Sequence, residues 1–194
     1  MKNYLVVSLL FVVLYACQPK SNKINYQAIG IIESPFNWST GAPRQALLMP
    51  ESKAVLVLNS SYAKGLDWLD EFEYIWLLSH FNEVESWDLH LSPPASNHLH
   101  EFGVFATRSP RRPNPIGLSL VKLDSIIGNR LYLSGIDLFD QTPILDIKPY
   151  LPSVDYVRSA KNSFAEIELG HHDEDFLPDS TLPWYILGKD GEEN

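Results

Sequence analysis

Short apolar stretches alternate with turn-forming residues along most of the chain. Stretches of this length, bounded by Gly, Pro, Asn, Asp or Ser, are typical of β-strands. They occupy residues 29–32, 54–58, 74–78, 102–106, 118–123, 131–133 and 144–147. Because turns rather than long helices separate them, the pattern favours a barrel or a sandwich over a doubly wound sheet.

Two segments allow a more detailed prediction. Residues 118–124 partly alternate apolar and polar positions, and residues 127–130, Ile-Gly-Asn-Arg, supply a turn, so a β-hairpin is expected there. The best helical signal is residues 60–72, where apolar side chains recur at a spacing of three. We therefore expect an all-β to α+β fold with one or two short helices.

The N-terminus has the pattern of a signal peptide. Lys2 precedes an apolar run over residues 4–16 that is too short to cross a bilayer as a helix, and Leu-Tyr-Ala-Cys follows at residues 14–17. That order resembles a bacterial lipobox, so residues 1–23 are predicted to be a lipoprotein-type signal peptide and tether, with Cys17 lipidated. An uncleaved hydrophobic helix or a misassigned start codon is the alternative. Cys17 is the only cysteine, so neither a disulfide nor a thiol metal site competes for it.

Acidic and basic residues are unevenly distributed along the rest of the chain. The formal net charge is −9, which argues against an overall electrostatic grip on nucleic acid, so any such contact must be local. Residues 24–163 are predicted to form one domain, and residues 164–194 an acidic C-terminal tail. Against this acidic background Arg108, Arg111 and Arg112 stand out.

Common nucleotide and metal motifs give no support. The chain contains neither G-x-G-x-x-G nor G-x-x-x-x-G-K-[ST], so a dinucleotide fold or a P-loop is not expected. His171 and His172 precede a run of acids, but adjacent histidines on a solvated tail are usually incidental. No metal site is predicted.

Residues 103–119, GVFATRSPRRPNPIGLS, form the densest candidate for chemistry. Each proline fixes its own φ and biases the residue before it to extended geometry, so Ser109, Arg112 and Asn114 are expected to be held outward with little freedom to lose on binding. The prolines are Pro110, Pro113 and Pro115. From the residues alone, this segment is equally consistent with a pre-organised ligand site and with a rigid strand connection whose arginines pair with acids.

Two further stretches combine polar side chains with proline-constrained backbone. GAPRQ at residues 41–45 joins an arginine to an amide that both donates and accepts, and residues 137–150, DLFDQTPILDIKPY, contain three carboxylates. Each alone is a weak signal, because a single Asp in a turn is usually structural.

Together these stretches resemble the TsaA-like family. The similarity covers about residues 29–155 and is carried, in family order, by IGIIESPF, GAPRQ, YIWLLSHF, GVFATRSPRRPNPIGLS and DLFDQTPILDIKPYLP. The resemblance implies a small β-barrel methyltransferase fold that is unrelated to the Rossmann type. It also implies S-adenosylmethionine as cofactor and tRNA as partner, with methyl transfer to N6 of a threonylcarbamoyl-modified adenosine beside the anticodon.

The resemblance further implies a cofactor site at or near a homodimer interface. The positions that match the family's cofactor contacts are Pro43, Arg44, Gln45, Phe81, Asn82, Arg108, Leu118, Asp140, Gln141, Thr142 and Pro143. Arg44 or Arg108 suits the methionine carboxylate, and Asp140 and Phe81 are candidates for the sulfonium. Arg111, Arg112 and Asn114 are assigned to acceptor or phosphate contacts.

The family turn usually reads Asp-Gly-Thr-Pro, and Gln141 stands where that glycine is found. A positive φ at Gln141 would strain the turn. Asn82 likewise replaces a usual His. No catalytic residue is assigned, because methyl transfer by in-line displacement rests largely on positioning.

The predicted location and the predicted substrate disagree. A lipoprotein carried across the inner membrane meets no tRNA, so one of the two inferences has to give way. The first hypothesis is a tRNA methyltransferase whose signal does not direct export. The second is an exported, membrane-anchored protein that reuses the barrel as a binding or accessory module. The location is left open between membrane-anchored and cytoplasmic.

Overall fold

A computed structural model describes residues 24–92 and 100–157. The predicted signal peptide with Cys17, the end of the predicted domain and the acidic tail with His171 and His172 lie outside these residues. Within the two described ranges, no helix is long and apolar enough to cross a membrane.

Six antiparallel strands close into a barrel. They follow one another around it in the order β1-β2-β7-β6-β3-β8, and β8 pairs with β1 to close it. The bounds are β1 Gly30–Glu33, β2 Lys53–Leu58, β3 Tyr74–His80, β6 Ile116–Ile127, β7 Arg130–Ser134 and β8 Pro143–Pro149. A separate two-stranded sheet pairs β4 (His90–Leu91) with β5 (Phe102–Gly103). The prediction of a small barrel is confirmed.

The core fills the barrel because alternate side chains of each strand point inward. Along β3, Ile75, Leu77 and Ser79 are buried, while the residues between them lie half-buried on the outer face. Loop residues Ile136 and Leu138 extend the core beyond the strands. Closure leaves these six strands without an unpaired edge.

The predicted hairpin is present as β6 and β7, but its alternation is interrupted. Gly128 begins the turn with φ of 62°, the conformation that glycine adopts most readily. The register shifts between Leu123 and Ser125, so Asp124 is an extra residue in a β-bulge. Because the bulge changes the facing of the residues after it, Ile126 rather than Ser125 packs against the core.

The helical prediction for residues 60–72 is only partly right. The segment forms two 3-10 helices, Ser60–Leu66 and Leu69–Glu71, because Trp68 between them takes a left-handed φ of 70° that no helix continues through. Asn59 caps the first by accepting a hydrogen bond from the Ser61 N–H. The only α-helix of the described residues is α1, Pro152–Asp155.

The strand predicted over residues 102–106 is also corrected. It ends at Gly103, and Val104–Ala106 form a 3-10 helix, as do Ala46–Leu48 after the GAPRQ segment. Thr107 ends the Val104–Ala106 helix, since both its N–H and its hydroxyl donate to the Val104 carbonyl. A tight turn therefore delivers the chain to Arg108.

Candidate functional site

Arg108 and Gln45 are brought into direct contact from distant parts of the sequence. The Arg108 Nη1 donates to Gln45 Oε1 at 2.6 Å across a separation of 63 residues. The Gln45 side-chain nitrogen donates to the Arg44 carbonyl at 2.6 Å, which directs its oxygen toward the guanidinium. The GAPRQ and arginine-proline segments therefore meet at one point, where an exposed cation lies beside an oriented amide.

Asp137 lies beside this contact and was not selected from the sequence. Its Oδ1 accepts a 2.6 Å hydrogen bond from the hydroxyl of Ser119, which faces the barrel interior. Burial raises the pKa of Asp137 to about 6, although Ser119, the backbone N–H groups of Asp137 and Ala46, and the charge of Arg108 all act to lower it. Asp137 is thus an anion at neutral pH, and it interacts with the charge of Arg108. Its place in the block DLFDQTP was the available signal.

In the rest of the arginine-proline loop, residues 107–115, the side chains contact other groups of the protein more than predicted. Arg111 forms an ion pair with Asp88 at 2.9 Å, which is the structural alternative raised from the sequence. Arg112 is not held outward: it is half-buried, and its Nη1 lies 3.4 Å from the Thr107 carbonyl and 3.5 Å from that of Ser109. Ser109 is also half-buried, and its hydroxyl accepts from the Arg111 N–H. Asn114 alone is exposed as expected.

Adjacent residues of the GAPRQ block, and likewise of β6, differ in their exposure to solvent. Pro43 is buried and Arg44 is half-buried. Leu118 lies on the outer face of β6 with 53% of its surface exposed, one residue from the inward-facing Ser119. Leu118 therefore offers an apolar surface to solvent and not to the core.

The Asp140–Pro143 segment forms a tight turn before β8. The Thr142 N–H and hydroxyl both donate to the Phe139 carbonyl, at 3.2 and 2.7 Å, and Gln141 has φ of 62°. The expectation of a strained turn at Gln141 is therefore met. Asp140 Oδ1 accepts from the Ser34 N–H at 3.1 Å, which ties the turn to the chain after β1.

Asp140 also lines an open cleft of about 500 Å³. In this cleft Asp124 accepts hydrogen bonds from Lys53 and Ser134, which together with the Lys53 charge hold its pKa below the usual range despite the opposing effect of burial. Among the residues that the structure describes, no group of three or more His, Cys, Asp or Glu could hold a metal ion.

The side chains of Phe81 and Asn82, which follow β3, have different surroundings. The Phe81 ring packs against Gly117, where an added Cβ would lie 2.5 Å from its Cζ, so the ring is fixed against the barrel. Asn82 is exposed and lines a different opening of about 620 Å³ with Trp38, Glu83 and Glu85. Trp38 stands edge-on to Phe139 with ring centroids 5.2 Å apart.

The predicted cofactor residues consequently fall into two groups within one chain. Arg108 and Gln45 lie beside Ser119 of β6, whereas Asp140, Gln141, Thr142 and Pro143 lie where β8 meets β1. In the closed barrel, two strands separate β6 from β1 in either direction, so these strands are on opposite sides. The loop after β7 connects the two groups, since Asp137 beside the first group lies three residues before Asp140 of the second.

Comparison with known proteins agrees with this architecture. Residues 31–156 match the family model described as the tRNA-methyltransferase O N-terminal domain. The relative RcsF of Pseudomonas aeruginosa is 42% identical over 142 residues, a match that spans 71% of this chain and 62% of RcsF. The tRNA (adenine(37)-N6)-methyltransferase of Escherichia coli K12 is 36% identical over 153 residues, which cover 75% of this chain and 65% of that enzyme.

A solved structure gives the same result. The crystal structure of TrmO from Pseudomonas aeruginosa superposes with a TM-score of 0.61 at 38% identity, covering 73% of this chain and 62% of that one. This chain thus spans about three fifths of the length of these Pseudomonas relatives. By its sequence match and its barrel, the chain belongs to the tRNA-methyltransferase O N-terminal domain family.

Proposed function

We propose that this protein is an S-adenosylmethionine-dependent methyltransferase that methylates N6 of a threonylcarbamoyl-modified adenosine next to the tRNA anticodon. The observation that carries the proposal is the 2.6 Å contact between Arg108 and Gln45, which joins two of the segments on which the family resemblance depends. The names of the relatives, among them the E. coli tRNA (adenine(37)-N6)-methyltransferase, support the reaction class.

The residues of this site fit the cofactor's chemistry. The guanidinium of Arg108 is exposed and oriented by Gln45, which suits it to bind the methionine carboxylate through charge-assisted hydrogen bonds. The bound cofactor supplies an activated methyl group on its sulfonium. Because the displacement needs no covalent enzyme intermediate, the contribution of the protein is to hold donor and acceptor in line and to exclude water.

Replacing Arg108 with alanine tests the proposal. We expect Arg108→Ala to weaken S-adenosylmethionine binding at least tenfold in calorimetry, since it removes a charge-assisted contact worth roughly 1.5–3 kcal/mol. Arg111→Ala is the matched control, because Arg111 is already paired with Asp88 and should leave cofactor affinity unchanged. Radiolabelled methyl transfer to tRNA by the wild-type protein is the accompanying measurement. Equal cofactor affinity in wild type and Arg108→Ala contradicts the assignment.

The active unit is proposed to be a homodimer. The family resemblance puts the cofactor site at or near a dimer interface, with contacts from the Arg108–Gln45 pair and from the Asp140–Pro143 turn. The outer face of β6 supports this arrangement, since Ile116 is 39% and Leu118 53% exposed, and Leu78 of β3 lies opposite Leu118. Contiguous apolar surface of this kind marks association sites.

For the acceptor we retain Arg111 and Asn114 as contacts, and assign Arg112 to stiffening the loop. Arg111 is about half exposed, so its ion pair with Asp88 is an exposed one of small stability that a phosphate can replace. Arg112 is directed at carbonyls of its own loop. The acidic balance of the chain restricts any tRNA contact to such local groups.

The domain limits 24–163, the tail 164–194 and the signal at 1–23 are proposed from sequence alone. Lipidation of Cys17 would anchor the barrel outside the compartment that holds tRNA. Labelling with palmitate followed by membrane fractionation separates the two hypotheses: lipid on Cys17 removes tRNA as the natural acceptor, whereas unlabelled protein in the soluble fraction supports the tRNA reaction.

A further inference from the structure

The carboxylate of Asp137, close to the Arg108–Gln45 contact, has no role in the function proposed so far. Asp137 is half-buried in the loop after β7, and Ser119 and the Ala46 N–H both hydrogen-bond its carboxylate. Burying an anion costs free energy unless its charge is used or compensated. These hydrogen bonds fix the orientation of the carboxylate but leave its negative charge without a cation in contact.

The nearby cation is similarly uncommitted. Arg108 donates to the neutral oxygen of Gln45, and among residues 24–92 and 100–157 it forms no ion pair. Arg108 is near enough for its charge to lower the pKa of Asp137, while the groups that hydrogen-bond Asp137, the Ser119 hydroxyl and the N–H groups of Ala46 and of Asp137 itself, are neutral. A cation and an anion therefore interact through their charges without forming an ion pair.

Such an arrangement fits a zwitterion. An α-amino acid carries its carboxylate and its ammonium on one carbon, so a site that recognises it needs a cationic and an anionic group next to each other. A guanidinium binds the carboxylate, while a carboxylate provides the strong, charge-assisted acceptor that an ammonium requires. Arg108 and Asp137 supply these two groups from different segments of the chain.

We propose that Asp137 binds the α-ammonium of the methionine moiety of S-adenosylmethionine, while Arg108 binds the adjacent carboxylate. Asp137, Arg108 and Gln45 then form a receptor for the amino-acid head of the cofactor. The proposal rests on the proposed function, because it assigns a further binding residue to the same site. These three residues recognise the amino-acid head, and other residues recognise the adenosine.

A pH dependence follows from the burial of Asp137. Only the ionised carboxylate attracts an ammonium, and the pKa of Asp137 in the folded protein is raised to about 6. The ammonium of an α-amino acid stays protonated at pH values well below its own pKa of about 8. Affinity for the cofactor should therefore be full at pH 7 and fall about tenfold per pH unit below pH 6.

The test uses Asp137→Asn and three ligands. The variant keeps the size of the side chain and an oxygen for Ser119, but it removes the charge. Calorimetry at pH 7.5 compares S-adenosylmethionine, S-adenosylhomocysteine and 5′-methylthioadenosine, of which only the last lacks the amino-acid head. We expect Asp137→Asn to weaken the first two at least tenfold, to leave the third unchanged, and to abolish the loss of affinity below pH 6.

The variant should fold. Because the raised pKa means that the folded state holds its proton more tightly than the unfolded chain, ionisation of Asp137 destabilises the fold as pH rises from about 4 through about 6. A neutral Asn at pH 7.5 removes that cost, but its single oxygen has to serve the Ser119 hydroxyl and the N–H groups of Asp137 and Ala46, so the melting temperature of the variant is measured beside its affinities, and unchanged binding of 5′-methylthioadenosine shows that the site is folded.

The outcomes are distinguishable. Unchanged affinity for S-adenosylmethionine, or an equal loss for all three ligands, overturns the role of Asp137 while leaving the proposed function intact. Wild-type protein that binds none of the three overturns the proposed function and this inference with it.

Discussion

Gln141 is held in a backbone conformation that suits glycine. Its φ of 62° lies in the left-handed region, at the third position of the turn closed by the Thr142 N–H and the Phe139 carbonyl. A β-turn with positive φ at this position favours Gly or Asn. The turn persists because Thr142 is buried and its hydroxyl is bonded, so neighbouring interactions compensate for the strain at Gln141.

Relieving this strain should stabilise the protein. We expect Gln141→Gly to raise the free energy of unfolding by about 1 kcal/mol, measured by urea denaturation. Gln141→Ala is the control, because alanine keeps the Cβ and with it the strain, and should give no gain. A Gly variant no more stable than the Ala variant would show that the turn is not strained.

At the scale of elements, the contact between β3 and β6 depends on a missing side chain. Gly117 faces inward opposite Ser79, and a Cβ there would lie 2.3 Å from the Ser79 Oγ and 2.5 Å from the Phe81 Cζ. These distances leave no room for a methyl group. The close approach fixes the Phe81 ring against β6, near the strand end that enters the arginine-proline loop.

The two glycines at the ends of the 103–119 segment provide a matched comparison. Gly117→Ala should lower the free energy of unfolding by about 1–3 kcal/mol through overpacking. Gly103→Ala should change it little, because an added Cβ at Gly103 meets nothing within 4 Å and its φ of −58° suits alanine. Thermal or urea denaturation of both variants checks this, and equal stability of the two would contradict the packing argument.

At the scale of the whole molecule, the outer face of β6 is the surface that we propose joins two copies. Ile116 and Leu118 expose apolar surface there, on the strand opposite β1 in the barrel. Two copies placed with this face in the interface would hold Leu118, a candidate cofactor residue, between them. Cofactor binding and assembly should then be linked.

A charge on the outer face of β6 tests this assembly. Leu118→Lys should convert the dimer to a monomer in light scattering, because a buried ammonium at an apolar interface is left unpaired. Ile127→Lys makes the same change at the far end of β6, where Ile127 is 64% exposed, and should leave the dimer intact. A wild-type protein that is monomeric, or a Leu118→Lys variant that remains dimeric, would reject this interface.

The sequence by itself predicted the six strands of the barrel and the β6–β7 hairpin, because strand periodicity and turn residues are local properties of the chain. It also identified Gln141 as a strained position. The tertiary structure alone decided that Arg108 meets Gln45, that Arg112 is directed at carbonyls of its own loop and that Asp137 is half-buried close to them. Such facts depend on contacts between residues far apart in sequence, and barrel closure fixes them.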